Sequence, residues 1–162
     1  MDDHKFAVDR MLGKLAKWLR LLGYDALFLK NGPLSPLPDR ILLTRRSTGP
    51  RQPSLADWPR VIRLRSDQTS LQLGETIQAL GISADDIKPF SRCSVCNALL
   101  RVAGEEEIRD LVPEYVRHTQ REFLRCPECQ KIYWPATHRQ RISNEIQKAF
   151  SSGEKKEASI CF

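Results

Sequence analysis

Hydrophobic positions in the first third of the chain fall into short apolar runs divided by one amphipathic stretch. Lys5-Phe6-Ala7-Val8 reads as a brief buried strand. After Asp9, apolar residues recur at Met11, Leu12, Leu15, Trp18, Leu19 and Leu22, close to the 3.6-residue period of a helix. Gly23 stands where a helix end favours a left-handed residue, and Ala26-Leu27-Phe28-Leu29 follows as a second apolar run. Strand, helix and strand with short links predict a βαβ unit, hence a parallel sheet. Ile41-Leu42-Leu43-Thr44 and Val61-Ile62-Arg63-Leu64 are further strand candidates, and Leu71 to Leu80 predicts a helix stopped by Gly81.

The pattern degrades between these strands. Asn31 to Asp39 holds three prolines, and no helix fits between Leu29 and Ile41. A crossover between adjacent parallel strands usually contains one, so either these strands are not neighbours or a helix has been lost. From Phe90 onward the pattern changes again. Leu99–Val102 and Glu122–Arg125 are expected as short strands, with an acidic helix near Glu105 to Leu111 between them. Thr137 to Phe150 reads as a helix. The expected division is a domain over 1–88, a cysteine module with a C-terminal helix over 89–150, and a disordered tail over 151–162.

The cysteine module carries the most specific motif. Cys93-Ser-Val-Cys96 and Cys126-Pro-Glu-Cys129 are two Cys-x-x-Cys pairs, a spacing that closes a tetrahedral shell around one zinc ion. The second pair runs into Gln130-Lys131-Ile132-Tyr133-Trp134, as a zinc ribbon does. A four-sulfur shell leaves no open position for substrate, so such a site is structural.

Composition narrows the field modestly. The chain is 162 residues long, 41% hydrophobic and 28% charged, a globular composition without an apolar run long enough to span a bilayer. No signal peptide is expected, and reduced thiols in metal-type spacing fit the cytoplasm. The formal charge is +6, which four thiolates on one divalent zinc would lower to about +4. Arg10, Lys14, Lys17 and Arg20 follow helical spacing and form a basic stripe. The stripe suits phosphate contacts, and it is equally the pattern of a solvated helix face.

The run Val8-Asp9-Arg10-Met11-Leu12-Gly13-Lys14-Leu15-Ala16-Lys17-Trp18-Leu19-Arg20-Leu21-Leu22-Gly23-Tyr24-Asp25 is joined by Leu42-Leu43-Thr44-Arg45, Arg65-Ser66-Asp67, Cys93 with Cys96-Asn97, and Tyr133-Trp134-Pro135 with Thr137-His138. Together these resemble the RNase domain found at the C-terminus of Mut-seven-type exonucleases. The resemblance covers about residues 5 to 142, and it implies an α/β fold with a PIN-like parallel sheet flanked by helices, followed by a small zinc ribbon.

It also implies one or two magnesium or manganese ions held by carboxylates at the C-terminal ends of parallel strands, where they activate water and clamp the reacting oxygens. Asp9, Asp25 and Asp67 are the candidate catalytic residues. Each has a plainer reading: Asp9 and Asp67 as helix N-caps, Asp25 as a surface turn. Arg10, Lys14, Lys17 and Arg45 are the candidate RNA-binding cations. Trp18, Tyr133 and Trp134 read as packing residues, and His138 as an ordinary hydrogen-bonded side chain.

Two departures bear on activity. The family continues Leu-Thr-Arg with an aspartate, a position held here by Arg46, whose guanidinium repels a divalent cation. An acidic helix expected before that strand is missing from Asn31 to Asp39, leaving Asp39 or Asp57 as substitutes. The expected function is a metal-dependent ribonuclease of PIN-like type. The alternative is an RNA-binding or protein-interaction module with a decayed acidic ring, the ribbon offering a surface to a protein partner.

Overall fold

A computed structural model describes residues 4–31, 35–47, 55–134 and 136–154. Cys161 and the side chain of His138 lie outside this part. The elements are β1 (Lys5–Asp9), α1 (Gly13–Leu21), β2 (Asp25–Leu29), β3 (Ile41–Thr44), β4 (Arg60–Arg63), α2 (Thr69–Leu80), β5 (Arg101–Val102), α3 (Glu105–Ile108), α4 (Glu114–Thr119), β6 (Leu124–Arg125), β7 (Ile132–Tyr133) and α5 (Ala136–Glu154).

The first four strands form one parallel sheet in the order β2-β1-β3-β4. β1 therefore separates β2 from β3, so those two are not neighbours, and the proline-rich link is itself the crossover, with Leu37 packed against Ala7 and Leu42 of the sheet. Among its described residues, 30, 31 and 35–40, there is no helix.

Side chains alternate across the sheet, and the alternation sorts the core into two clusters. Phe6, Val8, Ala26, Leu43 and Ile62 pack with Leu12, Leu15 and Leu19 around α1, Leu73 and Ile77 of α2, and Ile142 and Ala149 of α5. Ala7 and Leu42 face the other way, against Leu55, Trp58 and Leu37 from the connecting segments. Among the described residues, α1, α2 and α5 thus cover one face and connecting segments the other.

The C-terminal helix belongs to the sheet side of the molecule by its packing. α5 lies along α2, and a Cβ on Gly74 would stand 2.9 Å from the Ala149 carbonyl oxygen, so this close approach needs glycine. The division expected at residue 89 grouped that helix with the cysteine module, yet Ile142 and Ala149 sit in the core of the sheet. The helix also runs to Glu154, past the expected end at Phe150.

The cysteine module is a three-stranded antiparallel sheet, β5-β6-β7. Two short helices, α3 and α4, are inserted between β5 and β6, where the sequence predicts only the first. Ile108, Val112, Val116, Ala103 and Phe123 form their small core, with Trp134 packed against it. No helix among the described residues is long and apolar enough to cross a membrane.

Candidate nucleic-acid interface and metal centre

Strand order locates the site. Order β2-β1-β3-β4 creates a switch point, because the chain leaves β1 toward one neighbour and returns on its other side at β3. Ligands of open parallel sheets bind beyond the carboxyl ends of the strands at such a point. Asp9 ends β1 and Thr44 ends β3, so both stand there.

Asp9 is fully buried, and its carboxylate is already engaged. Thr44 donates its hydroxyl to Oδ2 at 2.7 Å. Arg46 donates Nε to Oδ2 at 2.9 Å and Nη2 to Oδ1 at 3.3 Å, a side-on fork. The Arg46 backbone N–H donates in turn to the Thr44 hydroxyl at 3.1 Å. The N-cap reading of Asp9 is not realised by a side-chain bond. The guanidinium fills the place where a metal would meet this carboxylate.

The next residues along three neighbouring strands share one property. The first residue beyond β1 is Arg10, beyond β2 it is Lys30, and beyond β3 it is Arg45. Neighbouring strands lie about 4.8 Å apart, so these cations border the switch point together. All three are exposed, and among the described residues none is paired with a carboxylate. Lys30 was not singled out from the sequence; its signal is visible only once β2 is known to lie beside β1.

Lys30 also opens onto a cleft of about 800 Å³ that runs along α1 to the first Cys-x-x-Cys loop. Lys14, Lys17 and Asp67 line it, as do Val95 and Cys96 at the far end. The structure thus brings Lys14, Lys17 and Asp67 into one cleft, with Asp9 outside its lining. Asp67 is exposed, and Gln68 rather than Asp67 occupies the N-cap of α2.

Asp25 is placed elsewhere. It begins β2 at the amino end of the sheet, opposite Lys5, so the length of β1, about 13 Å, separates its level from that of Asp9. Arg40 forks onto it at 2.7 and 3.2 Å, and Asn97 Nδ2 donates to it at 2.8 Å. Arg92 stands 3.9 Å away. Asp39 pairs with Lys5 at that same amino end, and Asp57 is exposed in the link before β4.

Arg20, counted in the basic stripe from its spacing, is turned inward and buried. Its Nε donates to the Ala26 carbonyl at 2.8 Å, and Nη1 reaches the carbonyls of Ser94 and Val95 at 3.2 and 2.8 Å. Asn97 completes the junction by accepting the Ala26 N–H at 3.1 Å. Gly23 lets the chain pass: its φ is +100°, and a Cβ there would lie 2.5 Å from the Lys88 carbonyl oxygen. Asp25, Arg20 and Asn97 together moor the first cysteine loop to the edge of β2.

The mooring is pH-dependent. Burial pushes the Asp25 carboxyl up, but hydrogen bonds from Arg40 and Asn97 and the charges of Arg40 and Arg92 outweigh it and hold the group below its ordinary value. A depressed carboxyl contributes stability above its unfolded-state pKa, near 4, and loses it as pH falls through the folded value. Asp25→Ala is therefore expected to lower unfolding stability by about 1–3 kcal/mol at pH 7. The deficit relative to the unaltered chain should shrink below about pH 4. Urea unfolding of both proteins across pH checks this, since loss of metal in acid affects both alike.

The four cysteines meet as their spacing implies. Their Sγ atoms lie within 4.8 Å of one another, with Cys93 to Cys129 at 3.5 Å and Cys96 to Cys126 at 3.3 Å. None is in a disulfide. A metal with bonds to sulfur of about 2.3 Å needs sulfurs roughly 3.8 Å apart, so this donor set fits one tetrahedral ion.

The two loops are built alike. Cys93 N–H bonds to the Ala98 carbonyl at 2.8 Å and Cys126 N–H to the Lys131 carbonyl at 2.9 Å. Asn97 and Gln130, the residues after each pair, take positive φ of 72° and 63°. Burial pushes the Cys93 thiol up, yet hydrogen bonds from Tyr133 and from the N–H groups of Cys96 and Val95 bring it down to about 6. Burial raises Cys129 to about 12, and hydrogen bonds with the neighbouring sulfurs add to that. One thiolate in this cluster opposes the next, and a divalent cation removes the conflict.

The described residues thus join a four-stranded parallel α/β sheet, with Asp9 at its switch point, to a four-cysteine module that fits a structural metal ion. The Mut7-C RNAse domain family matches residues 4–146, and the chain belongs to it. No curated protein and no solved structure matches the chain.

Proposed function

We propose that this chain binds the phosphate backbone of RNA along the cationic rim and cleft, with a structural zinc ion in the ribbon. The observation that carries this reading is Arg46 on both oxygens of Asp9. It neutralises, with a cation of the chain's own, the negative charge that a hard divalent ion requires, and among the described residues no carboxylate pairs with Arg10, Lys30 or Arg45. Lys14 and Lys17 extend the positive surface along the cleft. Family membership supports RNA as the polyanion, and reduced metal-binding thiols fit a cytoplasmic setting.

If those five cations each neutralise a phosphate, single-stranded RNA should bind in EDTA with a salt slope, log K against log salt, of about −3.5. Lys14→Ala/Lys17→Ala should reduce the slope by about 1.4. Fluorescence anisotropy across ionic strength checks both. Absent or salt-insensitive binding would shift the case to a protein partner on the ribbon, where Val102 and Tyr115 are exposed.

A second reading, RNA hydrolysis by a PIN-like magnesium or manganese site, is favoured by the family match and by Asp9 standing at the switch point. It requires Arg46 to leave Asp9. Cleavage of RNA on adding manganese, abolished by Asp9→Asn, would establish it. Asp25 has no part in that reading, because it sits at the other end of the sheet.

A further inference from the structure

The arrangement around Asp9 does more than displace a metal. A guanidinium is planar and carries five N–H donors. Arg46 commits its Nε and Nη2 edge to Asp9, so the edge bearing Nη1 faces away from the buried carboxylate. Among the described residues no other acceptor meets it. The Arg46 side chain is 25% exposed while that of Asp9 is wholly covered, so the free edge is the one open to solvent. Thr44 holds both partners, donating to Asp9 and accepting from the Arg46 backbone. The planar fork is thereby fixed in orientation at the carboxyl ends of β1 and β3, with Arg10, Arg45 and Lys30 beside it.

We infer that Asp9, Thr44 and Arg46 form a phosphate receptor at this switch point, in which the buried carboxylate aims the guanidinium at a phosphate group of a polynucleotide. The inference rests on the RNA-binding reading above and adds the site's centre. The ligand is an oxyanion with several acceptor oxygens, matched to the planar donor edge and the surrounding cations. A terminal phosphate and an internal phosphodiester both satisfy that chemistry. Asp9 is a positioning residue here, and Arg46 is the group that touches the ligand.

The sign of one substitution separates this arrangement from bulk electrostatics. Asp9→Asn removes a negative charge, so a surface acting only through net charge would bind RNA more tightly. If Asp9 aims Arg46, the same change weakens binding, by about tenfold for a lost charge-assisted contact. Arg46→Lys keeps the charge but not the fork and should lose a similar factor.

The experiment measures anisotropy of labelled single-stranded RNA in EDTA, with a 5′-hydroxyl or a 5′-phosphate, for the unaltered chain, both variants and Lys14→Ala/Lys17→Ala. A 5′-phosphate preference that Arg46→Lys removes assigns the receptor to chain ends; equal affinities that both variants lower assign it to internal phosphates. Binding by Asp9→Asn that equals or exceeds the unaltered chain overturns the receptor, while the lysine variants still test the cleft. No RNA binding by the unaltered chain removes both readings. Inorganic phosphate supplies a second measurement needing no variant: the Arg46 Nε–H resonance should shift on titration, and an unmoved resonance would also overturn the assignment.

Discussion

Cys126→Ser is expected to release the ribbon's metal and unfold the module from Arg92 to Trp134 while β1–β4 stay folded. Cys126 and Cys93 are fully buried, and their cluster holds few other groups, chiefly Tyr133. β5, β6 and β7 are two residues each, and the module's own apolar core has five buried residues. Such a unit lies below the size at which a hydrophobic core sustains itself, so metal supplies most of its folding energy. Structural zinc contributes roughly 10–16 kcal/mol in small thiolate sites. We expect one zinc per chain by elemental analysis, and strong chelation or Cys126→Ser should collapse amide dispersion across the ribbon. Persistent hydrogen-exchange protection at Leu124 and Tyr133 without metal would contradict this account.

Breaking the Asp9–Arg46 pair from the cationic side should have the next largest effect. The Asp9 side chain is wholly inaccessible, so Arg46→Met leaves a buried carboxylate whose one remaining side-chain partner among the described residues is the Thr44 hydroxyl. Removing one partner of a buried pair typically costs about 3–5 kcal/mol, most of it from the uncompensated charge. Asp9→Asn/Arg46→Met should recover much of that loss, since neither charge remains. Chemical denaturation of the three proteins tests this. A loss under about 1 kcal/mol in Arg46→Met would mean that water already solvates Asp9.

Much of this site could be read along the chain because its chemistry is local. Each Cys-x-x-Cys closes its own loop through hydrogen bonds between residues five apart or fewer, so two such loops announce a metal site before any fold is known. Arg46 likewise stands two residues past Thr44, and its presence in place of an expected acid is a sequence observation with a structural consequence: a guanidinium now neutralises Asp9. The second ribbon helix was missed for an opposite reason. α4 is six residues with Val116 as its buried residue, and so short a stretch carries no helical period.

Asp25 and Arg20 show where local reading fails. Both belong to the opening run that resembles the family, and both look like members of the site or its basic stripe by spacing. Which end of the sheet Asp25 occupies depends on β2 beginning there, parallel to β1. Which way Arg20 points depends on Ser94 and Val95 arriving from far along the chain to offer carbonyl oxygens.

By itself, the sequence determined the strands and first helices, the four metal-binding thiols, and the replacement of an acid by Arg46, because periodicity, loop closure and side-chain charge act over a few residues. Only the tertiary structure decided that β1 lies between β2 and β3, that Lys30, Arg10 and Arg45 border one switch point, and that Asp25 lies at the opposite end. Strand order is set by which apolar faces pack together across the whole sheet, a choice that no short stretch of chain contains.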